Sequence, residues 1–208
     1  MAWDNPGMSE TSSRNLSAVA VYCGSNMGNE PAYAAGAATL GGVMAERGIR
    51  LVYGGGQVGL MGVLADAVLR GGGSVTGVIT RALEDKEISH HGLMDLTVVH
   101  TMHERKAMMA DRADGFIMLP GGYGTMDEFF EVLTWTQLGI HLKPCAILDV
   151  NGYFGPLLGL LDHAAGQGFL RDDHREMVLT GTDPAGLLDR MAAWSPPATE
   201  KWLDPSER

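Results

Sequence analysis

The sequence predicts an α/β fold, specifically a Rossmann-like, doubly wound parallel sheet with helices on both faces. Short, continuously apolar segments alternate with segments of helical periodicity along most of the 208 residues, a pattern typical of strands buried on both faces of a parallel sheet. Glycine-rich turns follow several apolar segments, and 29 glycines are about twice the usual share. Right-handed crossovers between successive parallel strands then give a doubly wound arrangement.

Each predicted element follows from the local pattern. Apolar, β-rich runs predict seven strands, the last of them short, at 19–22, 51–53, 75–79, 96–99, 116–119, 144–148 and 178–179. Helices are predicted at 33–47, 60–69, 102–112, 125–138, 154–167 and 184–194. The first is rich in small residues, and the second and fourth show helical spacing of their apolar residues. Pro31 suits the first turn of the first helix, and Gly48 ends it. The segment 81–93 is predicted to be a polar connection.

The length and the end segments set the predicted domain organisation. A chain of 208 residues with 45% hydrophobic content suffices for one α/β domain with a full core. We predict that this domain covers 16–195. A polar, flexible arm at 1–15 precedes it, and an extended, proline-containing tail at 196–208 follows it.

Composition excludes several classes of partner. The net charge of −10 and the lack of a Lys/Arg-rich block argue against nucleic acid. No run of about 18 apolar residues and no signal-peptide pattern is present, so no membrane partner is expected. Cys23 and Cys145 lie in separate apolar runs and are interpreted as buried thiols, which fits a reducing, cytoplasmic location.

The most informative stretch is FIMLPGGYGTMDE at 116–128. A predicted buried strand leads into a glycine-rich turn, and the turn opens a predicted helix, an arrangement in which backbone N–H groups and the helix dipole can bind a phosphate. Thr125 can add a hydroxyl donor. Glu128 does not suit a simple anion site, because a carboxylate weakens phosphate binding unless it faces another part of the ligand. We interpret Glu128 as a residue for chemistry at a sugar.

Other segments should lie near this turn, because ligands bind beyond the carboxyl ends of the strands in such sheets. The turns at 23–25 and 54–56, the segment near Glu87, and the turn at 120–125 all fall on that edge. We therefore include Ser25 and Gly55 among the candidate substrate-binding residues. The turn at 54–56 fits either a phosphate or ribose wall or a tight turn for helix–strand contact.

Several other kinds of site are disfavoured. The spacing in 54–62 matches a dinucleotide fingerprint only loosely, and the third strand ends in Thr80 and Arg81 without the acidic ribose ligand that the fingerprint requires. His90 and His91 lack partners at metal-ligand spacing, so no metal is expected. The sequence also has no G-x-S-x-G elbow and no motif for pyridoxal phosphate. The charged run at 103–106 resembles a solvated helix face, although Arg105 could instead reach the pocket.

Three motifs occur together in this chain: PGGYGTMDE at 120–128, HERK at 103–106 and GGGQVGLMG at 54–62. With them the sequence resembles the LOG ("lonely guy") family of cytokinin riboside 5′-monophosphate phosphoribohydrolases, proteins often mislabelled as lysine decarboxylases. The segment TWTQLGIHLKP at 134–144 is also similar to the family, and the resemblance extends over about 19–188. Where many members end the first motif with two glutamates, this chain has Asp127 before Glu128.

The resemblance implies an activity and a set of site residues. Glu128 and Arg105 take the catalytic positions, and the implied substrate-binding residues are Glu87, Lys106, Gly121, Gly122, Tyr123, Gly124, Thr125 and Thr134. The implied partners are a nucleoside 5′-monophosphate and a second copy of the chain in a homodimer or larger oligomer, with no cofactor. Two other functions stay open at this point: a general AMP or purine nucleotide hydrolase, and a non-catalytic nucleotide-binding carrier.

Overall fold

The structure is a computed structural model that describes residues 15–85, 89–90, 92–93 and 95–197. The predicted arm at 1–15 and tail at 196–208 fall almost entirely outside these ranges, so both stay predictions. Glu87 and His91 also lie outside the described residues.

The centre of the described chain is a parallel sheet with strand order β4-β3-β2-β1-β5-β6-β7. Its strands are β1 Ala18–Tyr22, β2 Arg50–Tyr53, β3 Val75–Thr80, β4 Asp95–Val99, β5 Gly115–Met118, β6 Cys145–Leu148 and β7 Val178–Gly181. All seven predicted strands are present, with ends displaced by one or two residues at most. The predicted fold class is confirmed.

Eight helices occur in the described residues. They are α1 Pro31–Glu46, α2 Gly59–Arg70, α3 Arg81–Glu84, α4 Met102–Asp111, α5 Tyr123–Gln137, α6 Gly155–Gly166, α7 Asp172–Arg175 and α8 Pro184–Ala193. The six predicted helices are all found. The two others, α3 and α7, are single turns of four residues, too short to show helical periodicity in the sequence.

Hydrophobic cores form on both faces of the sheet, which explains why the strands are apolar without alternation. In β1, Val19 and Val21 belong to the core that includes side chains of α1, α2 and α8. Ala20 and Tyr22 face the opposite way, into the core that includes side chains of α4 and α5. Successive side chains of each strand thus stabilise different layers.

The strand order reverses at β1, and this reversal places the crevice. The chain builds outward from β1 to β4, and β5 then returns to pair with the free side of β1. Connections that leave neighbouring strands toward opposite faces of a sheet leave a gap between them. Here the Gly24 N–H donates to the Pro120 carbonyl (2.9 Å), which ties the β1–α1 loop to the β5–α5 loop at that gap.

Both cysteines, Cys23 and Cys145, lie in the described part of the chain, and both are buried free thiols, as predicted. In the described residues, no helix has the length and apolar character needed to cross a bilayer.

Candidate active site

A cavity of about 420 Å³ opens where the loops after β1 and β5 diverge. It is lined by residues 23–28, Tyr33, Leu60, Met61, Arg105, residues 120–125, Glu128 and Tyr153. The wall therefore brings together four of the predicted features, namely Ser25, the loop at 121–125, Arg105 and Glu128. These residues come from distant parts of the sequence and meet because β1 and β5 are neighbours in the sheet.

A buried ion pair joins the two residues that were predicted to be catalytic. Nη1 of Arg105, on α4, donates to Oε1 of Glu128, on α5, at 2.7 Å. The side chains are 8% and 12% exposed, respectively. Nε of Arg105 donates to the Val78 carbonyl at 2.9 Å, so the guanidinium is held from two directions. Arg105 thus faces the cavity and not the solvated face of α4.

The Gly54 turn makes room for this guanidinium. A Cβ at residue 54 would overlap Nη2 of Arg105. The neighbouring residue, Gly55, does not line the cavity. Its carbonyl accepts the N–H of His90 at 2.8 Å, and its φ of +72° favours glycine. The glycine turn after β2 therefore leaves space for the Arg105 guanidinium, and none of residues 54–56 lines the cavity.

The protonation of Glu128 reflects competing influences. Burial raises the pKa of Glu128 above its ordinary value of 4.5, while the charge and hydrogen bond of Arg105 pull it down. Asp127 contributes a smaller upward effect on this pKa, and Lys106 a smaller downward one. Glu128 is therefore a carboxylate that accepts a proton more readily than an exposed glutamate does.

The β5–α5 loop presents backbone donors at the cavity. Helix α5 has Gly122 at its N-cap and no side-chain cap. Met126 N–H donates to the Gly122 carbonyl (3.1 Å), so the N–H groups of Tyr123, Gly124 and Thr125 have no acceptor within the helix. The Thr125 side chain is buried beside Gly121, whose Cβ position it would overlap. Together with the helix dipole, these donors suit an anion.

Lys106 lies next to Arg105 on α4 but does not line the cavity. Its Nζ pairs with Asp127 at 3.1 Å and Glu131 at 3.0 Å, both on α5. Burial lowers the pKa of Lys106, but the hydrogen bonds to Glu131 and Asp127 outweigh that effect, and the net shift is upward. In this structure Lys106 therefore links two helices, and its predicted contact with substrate stays a prediction.

Two more predicted residues lie outside the cavity wall or outside the described chain. Thr134 is exposed on α5, and its hydroxyl donates to the Phe130 carbonyl at 2.7 Å. Glu87 lies outside the described residues, and Ser89, two residues later, forms a bridge to Gly56 in the glycine turn. The roles of Thr134 and Glu87 stay predictions.

Several lining residues were missed by sequence reasoning. Tyr33, Leu60, Met61 and Tyr153 all line the cavity. In the sequence they lie in or beside helical patterns, where an apolar or aromatic residue indicates packing against the core. Each of them lies in the first turn of the helix that follows a strand or in the loop before that helix, and only this placement could have suggested the cavity edge. In the described ranges, no group of three or more His, Cys, Asp or Glu side chains is arranged to hold a metal ion.

Comparisons with known proteins point to one family. The family model described as "Possible lysine decarboxylase" matches residues 61–191. A probable cytokinin riboside 5′-monophosphate phosphoribohydrolase of Oryza sativa subsp. japonica is 49% identical over 177 residues, covering 85% of this chain and 79% of that protein. A cytokinin riboside 5′-monophosphate phosphoribohydrolase of Rhodococcoides fascians is 49% identical over 171 residues, covering 82% and 86%. This chain belongs to the LOG family.

Solved structures extend the likeness of this LOG-family chain at the level of fold. A molybdenum cofactor binding protein from Rippkaea orientalis gives a TM-score of 0.64 at 19% identity, covering 84% of this chain and 94% of that one. The molybdenum cofactor carrier protein of Chlamydomonas reinhardtii gives a TM-score of 0.63 at 17% identity, covering 86% and 100%. At such identities the likeness shows a shared fold only.

Proposed function

We propose that this LOG-family protein hydrolyses the N-glycosidic bond of adenosine 5′-monophosphates, with N6-modified (cytokinin) nucleotides as preferred substrates. The products are the free base and ribose 5-phosphate. The observation that carries the proposal is the buried Arg105–Glu128 pair, which shares one cavity with the uncapped N-terminus of α5. The names of relatives at 49% identity support the same reaction.

The substrate phosphate would bind to the loop at 121–125. The free N–H groups of the first turn of α5 and the Thr125 hydroxyl supply donors, and the helix dipole favours the negative charge. Tyr123 is 95% exposed, and the donor that it would contribute is its backbone N–H. The apolar side chains of Leu60 and Met61 line the same cavity and suit the planar base.

Bond cleavage would build positive charge on the ribose and negative charge on the leaving purine. The Glu128 carboxylate can stabilise the oxocarbenium-like sugar and orient or deprotonate the attacking water. Arg105 can offset the negative charge on the departing base. Phosphate binding supplies remote binding energy that fixes the sugar against Glu128, so a nucleoside without phosphate should react poorly.

The test is base release from AMP and from N6-isopentenyl-AMP, followed by chromatography. We expect faster release from the prenylated nucleotide by the wild-type protein. Glu128→Gln and Arg105→Gln should each lower kcat by roughly 10² or more, because each removes a charge positioned at the reacting bond. Glu46→Gln is the matched control: it changes an exposed glutamate on α1, and we expect no effect.

Each other outcome selects a different function. Comparable release from both nucleotides would favour a general AMP or purine nucleotide hydrolase. No release from either, together with tight nucleotide binding, would favour a non-catalytic carrier. Full activity in both Glu128→Gln and Arg105→Gln would remove these two residues from the mechanism.

We also propose that the protein forms a homodimer or a larger homo-oligomer. Helix α6, with the sequence GPLLGLLDHAAG, is apolar, and although Leu157 and Leu158 pack partly against the core, none of its residues is fully buried. Leu160 on α6 is 60% exposed, and Phe169 just beyond it is 91% exposed. Pairing with a second copy would remove this apolar surface from water. Light scattering after size exclusion should give at least twice the chain mass of 22.2 kDa.

A cytoplasmic location is proposed from the thiols. Cys23 and Cys145 are buried and unpaired, and free thiols persist in reducing compartments. Fractionation of the source cells, with detection of the protein by antibody, should place it in the cytosolic fraction. Recovery in a secreted fraction would refute the proposal.

A further inference from the structure

Tyr153, in the loop between β6 and α6, contacts the loop that carries the phosphate donors. Its hydroxyl donates a hydrogen bond to the Gly121 carbonyl at 2.7 Å, and the side chain is half-buried at the cavity wall. We propose that Tyr153 is a positioning residue for the substrate phosphate, and that it acts by fixing the Gly121–Gly122 peptide. This inference rests on the proposed function, which places a 5′-phosphate at this loop.

The geometry of the peptide group explains how one hydroxyl can act on an anion site. In a planar trans peptide, the carbonyl of one residue and the N–H of the next point in opposite directions. By holding the Gly121 carbonyl, Tyr153 therefore keeps the Gly122 N–H pointing away from itself. It also keeps a carbonyl oxygen, which would repel a phosphate, engaged with a donor. A glycine pair without this bond could rotate its peptide plane at little cost.

A second bond holds the preceding carbonyl in the same way. The Pro120 carbonyl accepts the N–H of Gly24 at 2.9 Å. Gly121 is also confined sterically, because a Cβ at this position would overlap the Thr125 hydroxyl and lie 2.9 Å from Gly24 N. Two successive carbonyls of the loop thus accept hydrogen bonds from different segments. Of the two donors, the Gly24 N–H belongs to the backbone and the Tyr153 hydroxyl to a side chain.

The Tyr153 ring is itself held in place by aromatic contacts. It packs edge-on against Tyr33 of α1, with centroids 5.6 Å apart, and against Phe154, with centroids 4.9 Å apart. Phe154 is buried, and its N–H donates to Oδ1 of Asp149 at 2.9 Å. Such edge-to-face contacts fix ring orientation. The hydroxyl is therefore presented to Gly121 from a rigid support.

Tyr153 is assigned to positioning and not to direct phosphate binding, because its hydroxyl proton is already donated to Gly121. The oxygen that remains can only accept, and a phosphate monoester offers mainly acceptors. Loss of the hydroxyl should therefore weaken recognition of the phosphate while the Arg105–Glu128 pair stays intact.

The experiment compares Tyr153→Phe with the wild-type protein on AMP and on adenosine. The phenylalanine keeps the ring contacts, so the variant should fold, and its thermal unfolding should confirm this. We expect KM for AMP to rise roughly three- to tenfold, the range for one neutral hydrogen bond, with kcat changed by less than about twofold. The kcat/KM for adenosine should not change. Calorimetry should show a similar weakening of ribose 5-phosphate binding, independent of catalysis.

The matched control is Tyr53→Phe. Tyr53 is buried in the core at the end of β2, and its hydroxyl has no hydrogen-bond partner in the described part of the chain. This variant should keep the wild-type KM for AMP. An unchanged KM and an unchanged ribose 5-phosphate affinity in Tyr153→Phe would overturn the inference. A wild-type protein that binds ribose 5-phosphate but releases no base would contradict the proposed function while the binding measurement still tests Tyr153.

Discussion

At the scale of single residues, Gly54 determines where Arg105 can lie. Because a Cβ at residue 54 would overlap the guanidinium, Gly54→Ala should displace Arg105 from Glu128. A misplacement of about 1 Å can cost on the order of 10²-fold in rate, and we expect a loss of kcat approaching that size. Steady-state kinetics with the nucleotide substrate would measure it.

The control for this substitution is Gly42→Ala on α1. A Cβ there meets nothing within 4 Å. Alanine in a helix is favoured over glycine, so unfolding should require about 0.5–1 kcal/mol more free energy, with kcat unchanged. A wild-type kcat in Gly54→Ala would show that Arg105 does not depend on the space at Gly54.

The pH dependence should report Glu128. Since its pKa is raised above 4.5 mainly by burial, the Glu128 carboxylate is protonated at a higher pH than that of an exposed glutamate. The acid limb of kcat/KM should therefore lie above pH 4.5. Arg105 lowers this pKa, so the residual activity of Arg105→Gln should show an acid limb moved further upward.

The same profile recorded for Glu128→Gln separates this effect from titration of the substrate phosphate. Its residual activity should lack the limb, because glutamine does not titrate. An identical limb in the wild-type protein and in Glu128→Gln would assign the titration to another group.

Residue-level prediction from the sequence succeeded where the signal was local. The apolar run, glycine turn and following helix placed the loop at 121–125 after a strand end and Glu128 early in the next helix, as the structure does. The contact between Gly54 and Arg105 gave no such signal, because it joins distant segments through the order of the strands. The family resemblance implied that Lys106 binds substrate, whereas in the structure its neighbour Arg105 lines the cavity and Lys106 contacts α5.

At the scale of elements, α4 and α5 are joined by two adjacent cations. Arg105 pairs with Glu128, and Lys106 pairs with Asp127 and Glu131. Lys106→Met should leave the partly buried Glu131 without its partner and lower the free energy of unfolding by about 1–3 kcal/mol. Urea denaturation would measure this change.

The kinetics of Lys106→Met distinguish the two roles of this lysine. If it only links the helices, KM for AMP should stay within about twofold while kcat falls with the alignment of Arg105 and Glu128. A large rise in KM with unchanged kcat would instead favour the substrate contact implied by the family. Asp127→Asn is the matched comparison, because Asp127 is the more exposed partner and should matter less for stability.

Element prediction failed only for short segments. Helices α3 and α7 have four residues each, which is about one turn and provides no apolar repeat. The capping box formed by Thr101 and Glu104 at the start of α4 was also missed, although Thr followed three residues later by Glu is its usual signature. Glu104, interpreted from the sequence as part of a solvated face, is exposed and also caps its helix.

At the scale of the whole molecule, the exposed face of α6 predicts self-association. Leu160→Asp should shift the protein toward monomer, because it places a charge in the proposed apolar contact. Leu69→Asp is the matched control: Leu69 lies at the end of α2, which packs in the opposite core layer. Light scattering at several concentrations would measure both. An unchanged mass for Leu160→Asp would show that α6 does not form the subunit interface.

The fold class followed from alternating strands and helices, yet the strand order did not. Alternation shows that the sheet is parallel, whereas the place of β5 beside β1 depends on long-range pairing. The sequence therefore predicted a cavity at the correct edge of the sheet and named the turns at 23–25 and 120–125 that border it. It did not name the β6–α6 loop, which brings Tyr153 to the same cavity because β6 pairs with β5.

Helix α5 carries both the proposed phosphate donors, in its first turn, and Glu128, one turn later. With a rise of about 1.5 Å per residue, the five steps from Tyr123 to Glu128 span roughly 7.5 Å along the axis. The distance between these first-turn donors and the carboxylate is thus set by a single helix. The protein should therefore select among nucleotides by the distance between the phosphate and the glycosidic carbon.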